Sequence, residues 1–222
     1  MARMIRRSVK YPDSTDSYRI GQRPKVRVSI ADYGVGNLHS IHKALEIAGA
    51  RPVIESNMRN LMDADAIVFP GAGIFNNAMK SLDHYRDIIF DRLNAGTPCL
   101  GIGTGAQILF ETDEYSGTTG IGLIKGSITQ FPIGKNPHMG WNVVKSDNRM
   151  FEGVKSPFFY FAHSQYYSPK EDVVIGTTDY MGEFPSVIRK KNVFGTQFYP
   201  EKSSASGAMF LRNFVKYLEE KL

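Results

Sequence analysis

Ten residues, Pro98-Cys99-Leu100-Gly101-Ile102-Gly103-Thr104-Gly105-Ala106-Gln107, constrain the fold of this chain more than any other stretch. A short apolar run leads into glycines at every second position and leaves through helix-compatible residues. Apolar runs of this length bounded by turn signals suit a strand buried on both faces. Glycine permits backbone conformations closed to other residues and lets neighbouring chain approach closely. The segment predicts a buried strand, a tight turn with Gly103 at its apex, and a helix start. A second run, Ala66-Ile67-Val68-Phe69, stops at Pro70-Gly71 and predicts another doubly buried strand.

Flanking patterns supply the rest of the fold class. Val26, Val28 and Ile30 alternate with polar residues and predict a strand. Leu38, Ile41, Leu45 and Ala48 then recur at helical spacing up to Gly49, a C-terminal cap signal. Val53-Ile54 predicts a short strand, Tyr85 to Ala95 a helix ending at Gly96, and Ala106 to Phe110 the start of the next helix. Alternating strands and helices imply an α/β fold, a mostly parallel sheet with helices on both faces. The second half is richer in strand patterns: Phe158–Phe161, Val173–Thr178, Ser186–Arg189 and Val193–Phe198, with a turn at Arg189–Asn192. A closing helix is expected from about Ala208 to Leu222, with Phe210, Leu211, Phe214, Val215 and Leu218 on one face.

At 222 residues and 42% apolar content the chain suits one domain with a sizeable core. No apolar run approaches the roughly 20 residues needed to span a bilayer. The single cysteine excludes an internal disulfide and suits a reducing cytoplasm; Cys99, within an apolar run, reads as a small core residue. The net charge of +5 is concentrated at one end. Of 27 Lys/Arg and 22 Asp/Glu, seven and two fall in residues 1–25, leaving 20 of each elsewhere. Residues 1–25 therefore read as a basic N-terminal extension and 26–222 as the folded domain. A neutral domain argues against a nucleic-acid-binding face. The extension lacks both an amphipathic pattern and the apolar core of a secretory signal. It reads as a solvated tail, or as an arm that contacts a partner or covers a pocket.

The layout of residues 98–107 is that of a nucleophile elbow, with the reactive side chain expected at the apex. Other segments extend the likeness: Asp32-Tyr33-Gly34-Val35-Gly36-Asn37, Pro70-Gly71-Ala72-Gly73, Pro137-His138-Met139-Gly140-Trp141-Asn142, Tyr160-Phe161-Ala162-His163-Ser164 and Pro200-Glu201-Lys202-Ser203. In this order, over about residues 25–222, they resemble the class I glutamine amidotransferases. Within these the chain is most similar to HisH, the glutaminase subunit of imidazole glycerol phosphate synthase. Active members carry Gly-Ile-Cys-x-Gly at the elbow and Phe-His-Pro-Glu-Lys-Ser downstream.

The resemblance assigns roles position by position. A thiolate attacks the glutamine amide, a histidine moves the protons and a carboxylate orients the histidine. Here the nucleophile position is Gly103, the base position is Tyr199, and the orienting carboxylate is Glu201. Two of the three are lost. Thr104 needs a base, which a tyrosine with an ordinary pKa near ~10 does not provide at neutral pH, and it sits one residue off the apex. His138 and His163 match family positions outside the triad. Gly71, Ala72 and Gly73 match the oxyanion loop, or serve simply as a strand-to-helix turn. Gln107 matches a position beside bound glutamine, or opens a helix as an ordinary polar residue. Thr104 and Ala106 also differ from the bulkier residues common at the active elbow, and the pattern reads as a natural pseudoenzyme.

The family docks on a HisF-like (β/α)8 cyclase, and ammonia passes through the barrel. The interface positions correspond to Asn37, Trp141 and Lys202, all retained. Trp141 could otherwise be a core or loop residue, and Asn37 a helix cap. The implied partners are the cyclase and glutamine or a related small molecule, with no nucleic acid or membrane; no cofactor or metal is expected. Alternatives are membership of another amidination pathway, such as surface-sugar modification, and a regulatory module that binds a small molecule in the vacated pocket.

Overall fold

The structure, a computed structural model, describes residues 25–131 and 136–222. All of the basic N-terminal extension except Lys25 lies outside the described residues. In chain order the strands are β1 (Arg27–Ala31), β2 (Arg51–Glu55), β3 (Ile67–Phe69), β4 (Cys99–Ile102), β5 (Phe110–Asp113), β6 (Ile124–Gln130), β7 (His138–Val143), β8 (Phe158–His163), β9 (Gln165–Pro169), β10 (Val174–Asp179), β11 (Glu183–Lys190) and β12 (Val193–Thr196). The α-helices are α1 (Leu38–Ala48), α2 (Met58–Met62), α3 (Phe75–Leu82), α4 (Arg86–Asn94), α5 (Thr104–Gln107) and α6 (Ser204–Lys221).

The central sheet has seven strands in the order β10-β11-β12-β4-β3-β1-β2. The five from β12 to β2 are parallel, and β11 and β10 extend the sheet antiparallel. The expected mostly parallel α/β sheet is therefore present. Because strand side chains alternate between faces, the sheet divides the core in two. Val28, Ile30, Val68, Leu100, Ile102 and Phe194 point to the side of α1 and α6. Ala31, Ile67, Phe69, Cys99 and Val193 point to the side of α2, α3 and α4. Burial on both faces is why β3 and β4 read as unbroken apolar runs.

A smaller three-stranded sheet, β5-β6-β9, and a two-stranded antiparallel ribbon, β7-β8, flank the main sheet. Three element boundaries differ from those expected. The helix begun at Ala106 does not reach Phe110: α5 stops at Gln107 and Phe110 opens β5. The carbonyls of Ile108 and Leu109 instead accept hydrogen bonds from the Ile121 and Ile124 N–H groups. The expected Arg189–Asn192 turn is also shorter, since β11 continues through Lys190. The closing helix begins at Ser204, four residues earlier than expected. Among the described residues no helix is long and apolar enough to cross a membrane.

The chain runs from β1 outward to β2, then returns to the other side of β1 for β3 and β4. Right-handed crossovers in opposite directions put α1 on one face and α2–α4 on the other. The reversal lies between β1 and β3, and crevices at such points, outside the strands' carboxyl ends, receive ligands in this class of sheet.

Candidate functional site

Four loops converge at the carboxyl ends of β1, β3, β4 and β12: residues 32–37, 70–74, the turn at Gly103, and 197–203. Gly103 has φ +55° and ψ −120°, a conformation favouring glycine. Its N–H donates to the Thr196 carbonyl at 2.7 Å. A Cβ at Gly103 would stand 2.4 Å from the Gly71 carbonyl oxygen and 2.9 Å from the Tyr199 hydroxyl. The apex is thus occupied by main chain from one side and a phenol from the other.

The loop after β3 lies directly against this turn. A Cβ at Gly71 would meet the Gly105 nitrogen at 2.1 Å, and one at Gly105 would meet the Phe69 carbonyl oxygen at 1.9 Å. Glycine is required at both positions by backbone-to-backbone approach. Tyr33 donates to the Pro70 carbonyl. The Gly71 carbonyl accepts from the Thr104 N–H at 3.2 Å and from the Tyr199 hydroxyl at 2.9 Å. The Ala72 carbonyl accepts from the Gly36 N–H at 3.4 Å, and the Gly73 carbonyl from the Thr104 hydroxyl at 2.7 Å.

Tyr199 is buried, and burial, with Glu201 and Tyr160 adding, pushes its phenol up to about 12. It therefore stays protonated, as its hydrogen bond requires. Glu201 is not its partner. The Oε2 of Glu201 is buried without a hydrogen bond. Burial pushes this carboxyl up to about 7, against the lowering effects of its own backbone N–H and of Lys202. The Lys202 ammonium sits 5.1 Å from the Tyr199 ring centroid. Cys99 is fully buried, and desolvation raises its thiol well above the ordinary range.

Beside the turn opens a cavity of about 380 Å³, lined in part by Ile74, Gln107, Met139, Ser164, Gln165 and Gln197. Gln107 is held weakly, its Nε2 lying 3.4 Å from both the Gln165 carbonyl and Gln197 Oε1. Ala72, Gly73, Thr104, Tyr199 and Lys202 also border this space, so the structure gathers these with Gln107 around one cavity, whereas Asn37, Gly71, Gly103, Trp141 and Glu201 do not line it.

A buried histidine relay at the cavity wall is a feature that sequence reasoning missed. His138 Nδ1 lies 2.9 Å from His163 Nε2, and His163 Nδ1 lies 2.7 Å from the Gln165 carbonyl. That carbonyl can only accept, which assigns His163 its Nδ1–H tautomer and makes its Nε2 the acceptor from His138. The remaining His138 Nε2 then accepts from Asn142 Nδ2 at 3.3 Å. Both rings are neutral, and burial drives His138 down to about 4 and His163 to about 3. The pair sit opposite each other on β7 and β8, a register that no local pattern announces.

The same ribbon has a second face. Met139 pairs with Ala162, Trp141 with Tyr160 and Val143 with Phe158, all pointing away from the histidines. Trp141 is 53% exposed, Met139 64% and Phe158 47%, so Trp141 is a surface residue and not a core one. It meets Tyr160 edge-on at 6.1 Å. Asn37 caps α1, accepting from the Ser40 N–H at 3.1 Å. Among the described residues no group of three or more His, Cys, Asp or Glu side chains could hold a metal.

Residues 29–218 match the family description glutamine amidotransferase class-I. The chain is 45% identical, over 196 residues, to the imidazole glycerol phosphate synthase subunit HisH of Methanocaldococcus jannaschii, covering 86% of this chain and all of that one. Its fold is similar to that of PurLQS from Thermotoga maritima, with a TM-score of 0.68 at 22% identity, over 88% of this chain and 100% of that one. It is similar also to a crystal structure of a glutamine amidotransferase, with a TM-score of 0.69 at 18% identity, over 86% and 98% of the two chains.

Proposed function

The chain belongs to the class I glutamine amidotransferases and, within them, to the HisH family, and on that premise we propose that it is a HisH-type subunit without glutaminase activity. It docks on a HisF-like (β/α)8 cyclase as scaffold or activator, and the cyclase uses free ammonia. The observation that carries this reading is the turn at Gly103: no side chain stands at the apex, and the Tyr199 hydroxyl is bonded to the Gly71 carbonyl at 2.9 Å. Attack on an amide needs a nucleophile with a base in reach. Thr104 is committed to the Gly73 carbonyl, Cys99 is sealed in the core, and the two nearby histidines bond to each other.

Docking is supported by the outer face of the β7-β8 ribbon. Exposed Met139, Trp141 and Phe158 form an apolar surface beside the cavity, and aromatic anchors of this kind dominate interface energetics. Lys202 and Asn37 lie on the loops at the same end of the sheet. Residues 26–222 are the amidotransferase-like domain, residues 1–25 a basic extension, and the compartment is the cytoplasm.

The test mixes the full chain with a HisF-like cyclase from the same source. The expected result is a one-to-one complex by size-exclusion mass, turnover with ammonium salts, and no glutamate released from glutamine. Glutamate release above that of a blank would overturn the loss of glutaminase. No complex at micromolar concentration would overturn the docking role. It would favour a second reading, a regulatory module using the cavity of about 380 Å³. Retained docking on a cyclase of another amidination pathway would instead reassign the pathway.

A further inference from the structure

All four carbonyls from Pro70 to Gly73 are turned toward protein donors, and the donors at Gly71 and Gly73 include two side-chain hydroxyls, those of Tyr199 and Thr104. Both hydroxyls stand at positions where the chain departs from the pattern of active members. From this geometry we infer that Gly103, Thr104 and Tyr199 form one co-adapted latch, in which Thr104 and Tyr199 are positioning residues that pin the Gly71–Gly73 loop with its carbonyls against the turn.

The three substitutions fit together physically. Glycine at 103 leaves room for the Gly71 carbonyl, which would lie only 2.4 Å from any Cβ there. That carbonyl is then held from two directions, by the Thr104 N–H and the phenol. One residue later in the turn, the Thr104 hydroxyl reaches the Gly73 carbonyl 31 positions away in sequence. Stabilising an anion at the apex would need N–H donors aimed there. The latched loop presents a carbonyl oxygen instead, so removal of the nucleophile and fixing of the loop reinforce each other. This inference deepens the proposed loss of glutaminase and rests on it for its functional meaning, while the latch itself is a claim about loop dynamics.

The test is native-state amide exchange by NMR on the full chain and on Tyr199→Phe, Thr104→Val, Thr104→Ser and the double variant Tyr199→Phe/Thr104→Val. The Thr104 and Gly36 N–H groups report on the latch directly, because each donates to a loop carbonyl. Each hydroxyl deletion is expected to lower the protection factors of the amides at positions 104 and 36, which correct for the intrinsic rate of the residue present, about fivefold, the factor one ordinary hydrogen bond carries, and the double variant about tenfold or more. The core amides of Val68 and Leu100 should keep their rates, and Thr104→Ser should retain protection. Change of less than about twofold at Thr104 and Gly36 in the double variant would overturn the latch. So would equal acceleration of the Val68 and Leu100 amides, which would indicate general destabilisation. Glutamine hydrolysis by the unmodified chain, with this exchange pattern intact, would overturn the functional reading and leave the latch standing.

Discussion

Gly103 and Tyr199 are fitted to each other: a Cβ at position 103 would lie 2.9 Å from the Tyr199 hydroxyl and 3.1 Å from its Cζ. The tyrosine ring and the missing side chain account for the same space. Adding a side chain at 103 alone should therefore harm the protein. Gly103→Ala, at φ +55°, is expected to cost about 2 kcal/mol or more, from backbone strain and contact together. In the background of Tyr199→His, a smaller ring, the cost should fall by roughly 1 kcal/mol, a coupling that a double-mutant cycle by urea unfolding would read. Additive effects would show that the two positions are independent.

Glu201 carries a pH signature of its own. Its carboxyl titrates near 7 in the fold, against an ordinary value of 4.5. A raised folded-state value means that the folded protein binds more protons than the unfolded chain between those limits. Its contribution is thus most favourable below about pH 4.5 and is lost as pH rises through 7. Glu201→Gln should raise the unfolding free energy at pH 8 by on the order of 2 kcal/mol and by little at about pH 4.5, measured by denaturant titration at both.

The histidine relay predicts the opposite slope. His163 titrates near 3 in the fold against 6.5 when free, so the unfolded chain binds the extra proton between those values. Stability from this group is full above about pH 6.5 and falls as pH drops toward 3. Replacing His163 with Gln should lower Tm at pH 7 while flattening the decline between about pH 6.5 and 4. An unchanged slope would show that the relay does not titrate on unfolding.

Trp141 separates docking from folding. With 53% of its surface exposed, Trp141→Ala should leave Tm within about 2 °C, because surface changes rarely exceed ~0.5 kcal/mol. Binding to the HisF-like partner should weaken at least about tenfold by isothermal titration, as expected for an interface anchor. Equal affinity would move the docking surface away from the ribbon.

The legible parts of this fold are those whose signals are local. β3 and β4 declare themselves because burial on both faces leaves only apolar residues, and α1 because Asn37 and Gly49 mark its ends. β7 is not legible, since its inward residues are His138, Gly140 and Asn142, a polar face serving the relay in place of an apolar one. α3 starts after Ile74, which makes no side-chain capping bond, so its start signal is missing. At the site, the positions of Gly103 and Tyr199 followed from motif order. The Thr104 bond to Gly73 and the unpartnered oxygen of Glu201 did not, because both depend on contacts between loops distant in sequence.

The strand-end loops are joined where Gly71 and Gly105 let one main chain rest on another. That junction involves no reactive side chain, so the architecture is indifferent to whether chemistry happens above it. The contact that joins the loops is thus separate from the positions beside it that face the cavity, and similarity of overall shape does not by itself tell which members of such a fold turn over substrate.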